Sequence, residues 1–484
     1  MAMLRRTAAL ALAIMMMAAA FLCARAVSPS DYDMSAPENL HPDHLYAQSA
    51  ILIDETSGEV LFSKNSRIRM YPASTTKIMT LLLALESGID LDEKVTIPRQ
   101  AADIPDGSSV IPVKPGDVTS FRDLLYGFML SSGNDGANAI AALVSGNIDD
   151  FVARMNARAA ELGCQGTHFV NAHGYHNQDH YSTAQDLAVI SRAAMQNDMF
   201  RTIVAAPTWD MTVTRGDRTG TATITNRNSL LIADSKYYYP DCTGIKTGHH
   251  KRAGWCFVGS AEREGMKLIC VVLNCEEEDQ KWYDAARLFE YGFTQYERVG
   301  AQALLSRAQS SFDTVQIDDA SEDDPQSGTL QLELGEVDDA GQTVALPVGN
   351  ENALNLAAEA MAETVELEWT RELRAPVAQG ERVGTLRARM PGGGWITAAL
   401  TASRAVEKKP EATPVSAPTA PPGPYVTEAP AEEQPAAPRS GLGMMAVLIA
   451  ALIALAALLA GLAAAQRRSA AKRAHRRGKA RRRK

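Results

Sequence analysis

Ser74 and Lys77 stand three residues apart in YPASTTKIMTLLLALESG, a stretch that is otherwise almost wholly apolar. An ammonium group on a buried helical face is costly unless it is paired or its pKa is lowered. A lowered lysine is also the base that a serine nucleophile needs. The Ser-x-x-Lys spacing alone says little, because Ser469 and Lys472 repeat it in a basic tail. What sets Ser74 apart is its expected place after Pro72 at the start of an apolar helix, where backbone N–H groups and the helix dipole favour developing negative charge.

A proton taken from a serine must pass on to a leaving group, and further polar side chains have to carry it. Ser132 and Asn134, in MLSSGNDGANAIA, supply a hydroxyl and an amide at a break in a helical region. The same Ser-x-Asn spacing at Ser63 to Asn65 and at Ser145 to Asn147 reads as a strand end and a helix-terminal turn. Lys246, Thr247 and Gly248 stand at the start of the best strand pair in the chain. There a lysine and a threonine can bind a substrate carboxylate, and a glycine leaves room for a backbone to approach the ligand. The competing reading of Lys246 is an edge-strand charge that discourages aggregation.

Ser-x-x-Lys, Ser-x-Asn and Lys-Thr-Gly, in that order, form the motif set of penicillin-binding proteins and class A β-lactamases. Through AILIDETSGEVLFSKN, PASTTKIMT, SSGNDGANAIA, HGYHNQDHYSTAQDLA and GIKTGHHKRAGWCFVGSAEREG, the chain resembles the low-molecular-mass penicillin-binding proteins, specifically the serine-type D-alanyl-D-alanine carboxypeptidases. RAPVAQGERVGTLRA more weakly resembles the β-rich domain that follows the catalytic domain in such enzymes. The resemblance implies an α/β (α+β) catalytic domain of the serine β-lactamase/transpeptidase type, working without a cofactor or metal. Its substrates would be peptidoglycan stem peptides ending in D-Ala-D-Ala, and β-lactams would inhibit it.

By that analogy Ser74 attacks the penultimate D-Ala carbonyl with Lys77 as base. The leaving D-Ala is protonated through Lys77, Ser132 and Lys246, and Asn134 holds the substrate amide and positions Lys77. Lys246, Thr247 and His249 line the site for the terminal carboxylate, and the N–H groups of Ser74 and His249 form the oxyanion hole. One position departs from the pattern: His250 stands where such enzymes often carry threonine, which leaves the carboxylate contacts open.

Three rival readings fit parts of the same residues. A class A β-lactamase would need a Glu-x-x-Leu-Asn string in the loop after Ser-x-Asn, and none occurs between Asn134 and Lys246. His168, His173, His176 and His180 have spacings that could hold zinc, but they lack an H-E-x-x-H pattern, and loop hydrogen bonds are their expected use. The third rival is a non-catalytic, membrane-anchored module that binds the cell wall or β-lactams.

These groups have to be positioned by a fold, and the pattern suggests one. QSAILIDETSGEVLFS reads as a hairpin around Thr56, Ser57 and Gly58, and the helix after Ser74 is expected to stop at Gly88. Helical periodicity dominates the region from Phe121 to Asn197. A strand pair joined near Glu264 and Gly265 follows, and then an amphipathic helix, WYDAARLFEYGFTQY. A mixed sheet with a separate helical lobe accounts for this order.

The chain of 484 residues exceeds one ordinary domain. Residues 1–26 have the charge, apolar and small-residue order of a secretory signal. Residues 27–298 form the expected carboxypeptidase domain, 299–406 a small all-β domain, and 407–439 a linker rich in Pro, Ala and Glu. Residues 440–466 are long and apolar enough for a transmembrane helix, and 467–484 form a basic tail, cytoplasmic by the positive-inside rule. Everything before the span is then expected to be extracytoplasmic, at the cell membrane. Between the signal and the tail, 34 Lys and Arg face 57 Asp and Glu, a balance that repels nucleic acid. The five cysteines after residue 26 lack disulfide-scaffold spacing. Cys256 and Cys270 are expected either to pair or to stay reduced and buried.

Overall fold

The computed structural model of the chain describes residues 33–338 and 341–410. The expected signal, the transmembrane helix, the basic tail and nearly all of the linker lie outside the described residues. Among those described, no helix is long and apolar enough to cross a membrane.

The chain begins with a hairpin of β1 (Ser49–Asp54) and β2 (Val60–Lys64). A short 3-10 turn, Ala73–Thr76, leads into α1 (Lys77–Leu85). Ser74 therefore lies in a 3-10 turn rather than in the α-helix itself, and the helix ends at Leu85, before Gly88. Two small strands, β3 (Lys94–Thr96) and β4 (Val118–Ser120), precede the helical lobe. That lobe contains α2 (Phe121–Ser131), α3 (Asn134–Ser145), α4 (Ile148–Glu161), α5 (Ala184–Ala194) and α6 (Asp198–Ala205). The hairpin β5 (Thr208–Arg215) and β6 (Arg218–Thr225) joins β3 and β4 in one small sheet.

The main sheet is completed by β7 (Cys242–His250), β8 (Gly254–Arg263) and β9 (Met266–Cys275), in the order β2-β1-β9-β8-β7, and α7 (Gln280–Gln295) follows. The expected strand pair meets at Glu264 and Gly265, and all pairings are antiparallel. β1 and β9 are almost continuously apolar because both faces of the sheet are covered. Alternate residues divide between two cores. Ile51, Ile53, Ile269, Val271 and Leu273 join α1 and the helical lobe, while Ala50, Leu52, Leu268, Cys270 and Val272 pack against α7. Helix α1 is apolar nearly all round and is buried along its length up to Ala84, as such a helix must be.

The remainder comprises β10 (Tyr296–Gly300), α8 (Ala301–Ala308), β11 (Thr314–Gln316), β12 (Thr329–Asp338), β13 (Thr343–Pro347), α9 (Glu351–Ala362), β14 (Glu366–Trp369), β15 (Arg382–Arg389) and β16 (Trp395–Ala402). A five-stranded antiparallel sheet, β11-β12-β16-β15-β14, forms its centre. The all-β expectation for this part is corrected: Leu304 and Leu305 of α8 and Ala358 and Met361 of α9 complete its core. The described cysteines are free, and Cys270 stands opposite Gly259 rather than Cys256.

Candidate active site

Three segments distant in sequence meet at Lys77. Its side chain is fully buried, and its Nζ lies 3.2 Å from Ser74 Oγ, 2.7 Å from Asn134 Oδ1 and 2.8 Å from the His173 carbonyl. Burial, with the like charges of Lys246 and Arg227 adding to it, holds the Lys77 pKa well below the usual lysine range. A neutral amine has two N–H bonds and one lone pair. The two shorter contacts, to Asn134 Oδ1 and the His173 carbonyl, occupy the N–H bonds, so the lone pair is left to face the hydroxyl of Ser74.

The turn that carries Ser74 is held on both sides. Ala73 has a φ of 49°, a left-handed conformation that an alanine keeps only when its surroundings impose it. A β-carbon on Gly174 would stand 1.8 Å from the Ala73 carbonyl oxygen, and one on Gly248 would stand 2.9 Å from the Pro72 oxygen and 3.0 Å from the Ser74 nitrogen. Gly248 therefore also admits the backbone of the turn that carries Ser74.

Ser132 caps the C-terminus of α2 in a left-handed conformation, with φ at 65°, and lines the cleft with Ser74. Asn134 is the first residue of α3. Its amide nitrogen donates to Ser108 Oγ at 3.0 Å, which turns its oxygen toward Lys77. Behind it, Asp135 accepts from the Ile111 and Gly136 amides, and burial raises its carboxyl to about 6.

Lys246 is on an edge strand, yet it is only 2% exposed, which removes the reading of a solvated edge charge. Burial, and then Arg227, lower its pKa to about 7. Thr247, Gly248 and His249 line a cleft of about 490 Å³ together with Ser74 and Ser132. His249 stacks on Trp255 across the strand pair, with ring centroids 3.8 Å apart. His250 is not among the cleft-lining residues. Its ring packs against Tyr71 and His176, and its Nδ1 accepts from the Arg252 and Ala253 amides that close the β7–β8 turn.

Two cleft cations had not been expected. Arg227, in the loop after β6, donates to Ser109 Oγ at 2.9 Å. Lys281, at the start of α7, is 1% exposed; its Nζ lies over the rings of Trp255 and Trp282 and donates to the Glu278 carbonyl at 2.7 Å. A sequence signal existed only for Lys281, as a cation beside a tryptophan in an otherwise amphipathic helix.

The loop histidines are used locally. His168 donates to the Asp179 carbonyl, and His173 Nδ1 accepts from the Tyr175 amide. His180 accepts from the Val170 amide through Nδ1 and donates from Nε2 to Thr76 Oγ1. Among the described residues, no group of three or more His, Cys, Asp or Glu is arranged to hold a metal ion.

The family model of the D-alanyl-D-alanine carboxypeptidases, peptidase S11, matches residues 36–277. A D-alanyl-D-alanine carboxypeptidase of Bacillus subtilis, DacF, is 34% identical over 255 residues, which cover 52% of this chain and 63% of that protein. DacB2 of Mycobacterium tuberculosis, another D-alanyl-D-alanine carboxypeptidase, is 38% identical over 252 residues, covering 51% of this chain and 82% of the relative. Among solved structures, the DD-transpeptidase of Streptomyces K15 is 33% identical, with a TM-score of 0.49, over 51% of this chain and 97% of its own. The three motifs, which meet at the turn that carries Ser74 and the cleft beside it, and the family match through them place the chain in the D-alanyl-D-alanine carboxypeptidase family.

Proposed function

We propose that the protein is a serine-type D-Ala-D-Ala carboxypeptidase that removes the terminal D-alanine from peptidoglycan stem peptides through an acyl-enzyme on Ser74. The observation that carries this reading is the environment of Lys77, a fully buried amine 3.2 Å from Ser74 Oγ and held by Asn134 Oδ1 and the His173 carbonyl, whose pKa burial lowers. Lys77 takes the hydroxyl proton as Ser74 Oγ bonds to the penultimate D-Ala carbonyl carbon. The N–H groups of Ser74 and His249 stabilise the oxyanion, and the carbon–nitrogen bond breaks as the leaving amine receives a proton through Lys77, Ser132 and Lys246. Water then releases the acyl group by the same route.

The terminal carboxylate is received by Thr247 with the cleft cations Arg227 and Lys281. Lys281 is a buried ammonium with one short hydrogen bond, and its nearest carboxylate, Glu278, is 3.6 Å away and largely exposed. Such a group gains from an anion arriving in the cleft. β-Lactams, which resemble the D-Ala-D-Ala end, acylate the same serine. The signal-like start and the apolar segment 440–466 support an exported catalytic domain tethered by one C-terminal helix. Ser74→Ala tests the enzymatic reading, because it should abolish D-alanine release from a D-Ala-D-Ala peptide.

A further inference from the structure

A second cavity, of about 770 Å³ and distinct from the catalytic cleft, opens where the β1–β2 turn, α5, the β8–β9 turn and β10 meet. Its acidic groups are already matched. Glu55 is buried and ion-paired with Arg201, and Glu161 is paired with Arg158. Its other cations, Arg192, Lys267 and Arg298, come from three separate elements; among the described residues none has a carboxylate at ion-pair distance, and Lys267 acts on Glu55 only from further off, behind Arg201.

Two of these cations are fixed in place by neutral groups. Arg192 donates from Nε to the Glu55 carbonyl at 2.8 Å and from Nη2 to the Thr56 carbonyl at 2.6 Å. Its guanidinium lies against Gly58, where a β-carbon would come within 3.0 Å of Nη1. Arg298 donates from Nε to Thr343 Oγ1 at 3.0 Å, and its guanidinium lies against Gly265, where a β-carbon would come within 2.4 Å of Nη1. Both hairpin turns thus carry a glycine where a guanidinium passes. These bonds orient the planar groups without neutralising them, and an oriented, unneutralised guanidinium is suited to a bidentate oxyanion. Ile51, Ile53 and Val60 line the cavity between the charges.

We propose that this cavity binds a small ligand with two oxyanion groups, carboxylate or phosphate, one held by Arg192 and the other by Arg298 with Lys267. The ligand touches α5 of the helical lobe, β9 of the catalytic sheet and β10 at the entry to the C-terminal part, so it stabilises the packing of all three.

The test is calorimetric titration and thermal melting of the full chain with inorganic pyrophosphate and with glutarate, as phosphate and carboxylate probes. At least one probe is expected to bind and to raise the melting temperature as its concentration rises. Which one binds assigns the anion class. Lys267→Gln and Arg298→Gln, both outside the catalytic cleft, should each weaken binding about tenfold while leaving Ser74 chemistry unchanged. The proposal is overturned if neither probe binds, or if the double variant binds as tightly as the unaltered protein.

Discussion

Gly248 and Ser74 are in backbone contact: a β-carbon on Gly248 would stand 3.0 Å from the Ser74 nitrogen and closer still to the Pro72 oxygen. The glycine of the third motif therefore sets how near β7 approaches the turn that carries Ser74. Since both neighbours are backbone atoms, an added methyl has to displace the turn. Gly248→Ala should slow acylation by benzylpenicillin about 100-fold, the scale of a misplacement near 1 Å. The melting temperature should change little by comparison. Unchanged acylation would remove Gly248 from the positioning of Ser74.

Lys77 is expected to act as a base rather than as a fixed charge. Lys77→Met keeps a long side chain without the nitrogen, and should lower the acylation rate at least about 100-fold. Lys77→Arg should be no better, because a guanidinium stays protonated. Stopped-flow acylation of both variants checks this, and near-normal rates with arginine would exclude the base role.

Under the proposed mechanism two lysines have different tasks, and the pH dependence follows from them. Lys77, held well below the usual lysine range, must be neutral to work, so activity rises as it loses its proton. Lys246, lowered to about 7, must stay protonated to donate, so activity falls as pH rises through about 7. A bell-shaped profile of kcat/KM is expected, and Lys246→Arg should flatten its alkaline limb, since arginine keeps its charge.

Carboxylate recognition should rest on Arg227 and Lys281 rather than on His250. Lys281→Met should raise KM for a peptide acid about tenfold, the worth of one charge-assisted hydrogen bond, and leave the corresponding peptide amide unaffected. His250→Thr should instead lower the melting temperature, because Nδ1 of His250 closes the β7–β8 turn, and should change KM less than threefold by the same scale. Steady-state kinetics on the acid and amide pair separates the two effects.

Much of this site was legible because each motif is local, whereas the geometry that joins the motifs is not. Ser74, Lys77, Ser132, Asn134 and Lys246 each stand in a short pattern, and the fold brings Ser74 and Asn134 onto the Lys77 amine and Ser132 onto the cleft beside Ser74. Arg227 was missed because it sits in a loop with no periodicity. Lys281 was missed because a lysine in an amphipathic helix ordinarily faces water. The helices α8 and α9 could have been read from AQALLSRA and ENALNLAAEAMA, which are rich in strong helix formers. Alternation in the flanking segments drew the whole region toward strands. Asn350 even supplies an N-cap, accepting from the Ala353 amide.

Acid stability offers a check on the loop behind the nucleophile. Burial lowers both His173 and His180 to about 3, so each stays neutral in the fold and protonates more readily when unfolded. Their effect is to lose stability as pH falls from about 6.5 toward 3. Asp135 and Asp284, each raised to about 6, act in the opposite sense, losing their contribution as pH rises through that value. His180→Asn should therefore show a shallower loss of melting temperature between pH 6.5 and pH 4 than the unaltered protein. A parallel loss would assign the acid sensitivity elsewhere.

The most direct measurement is D-alanine release from a peptide ending in Lys-D-Ala-D-Ala, with intact-mass spectrometry on the same samples and Ser74→Ala as the control. The account predicts steady release by the unaltered protein, a transient acyl adduct that maps to Ser74, and neither in the variant. A folded protein that releases no D-alanine, or that releases it equally well without the Ser74 hydroxyl, would contradict it.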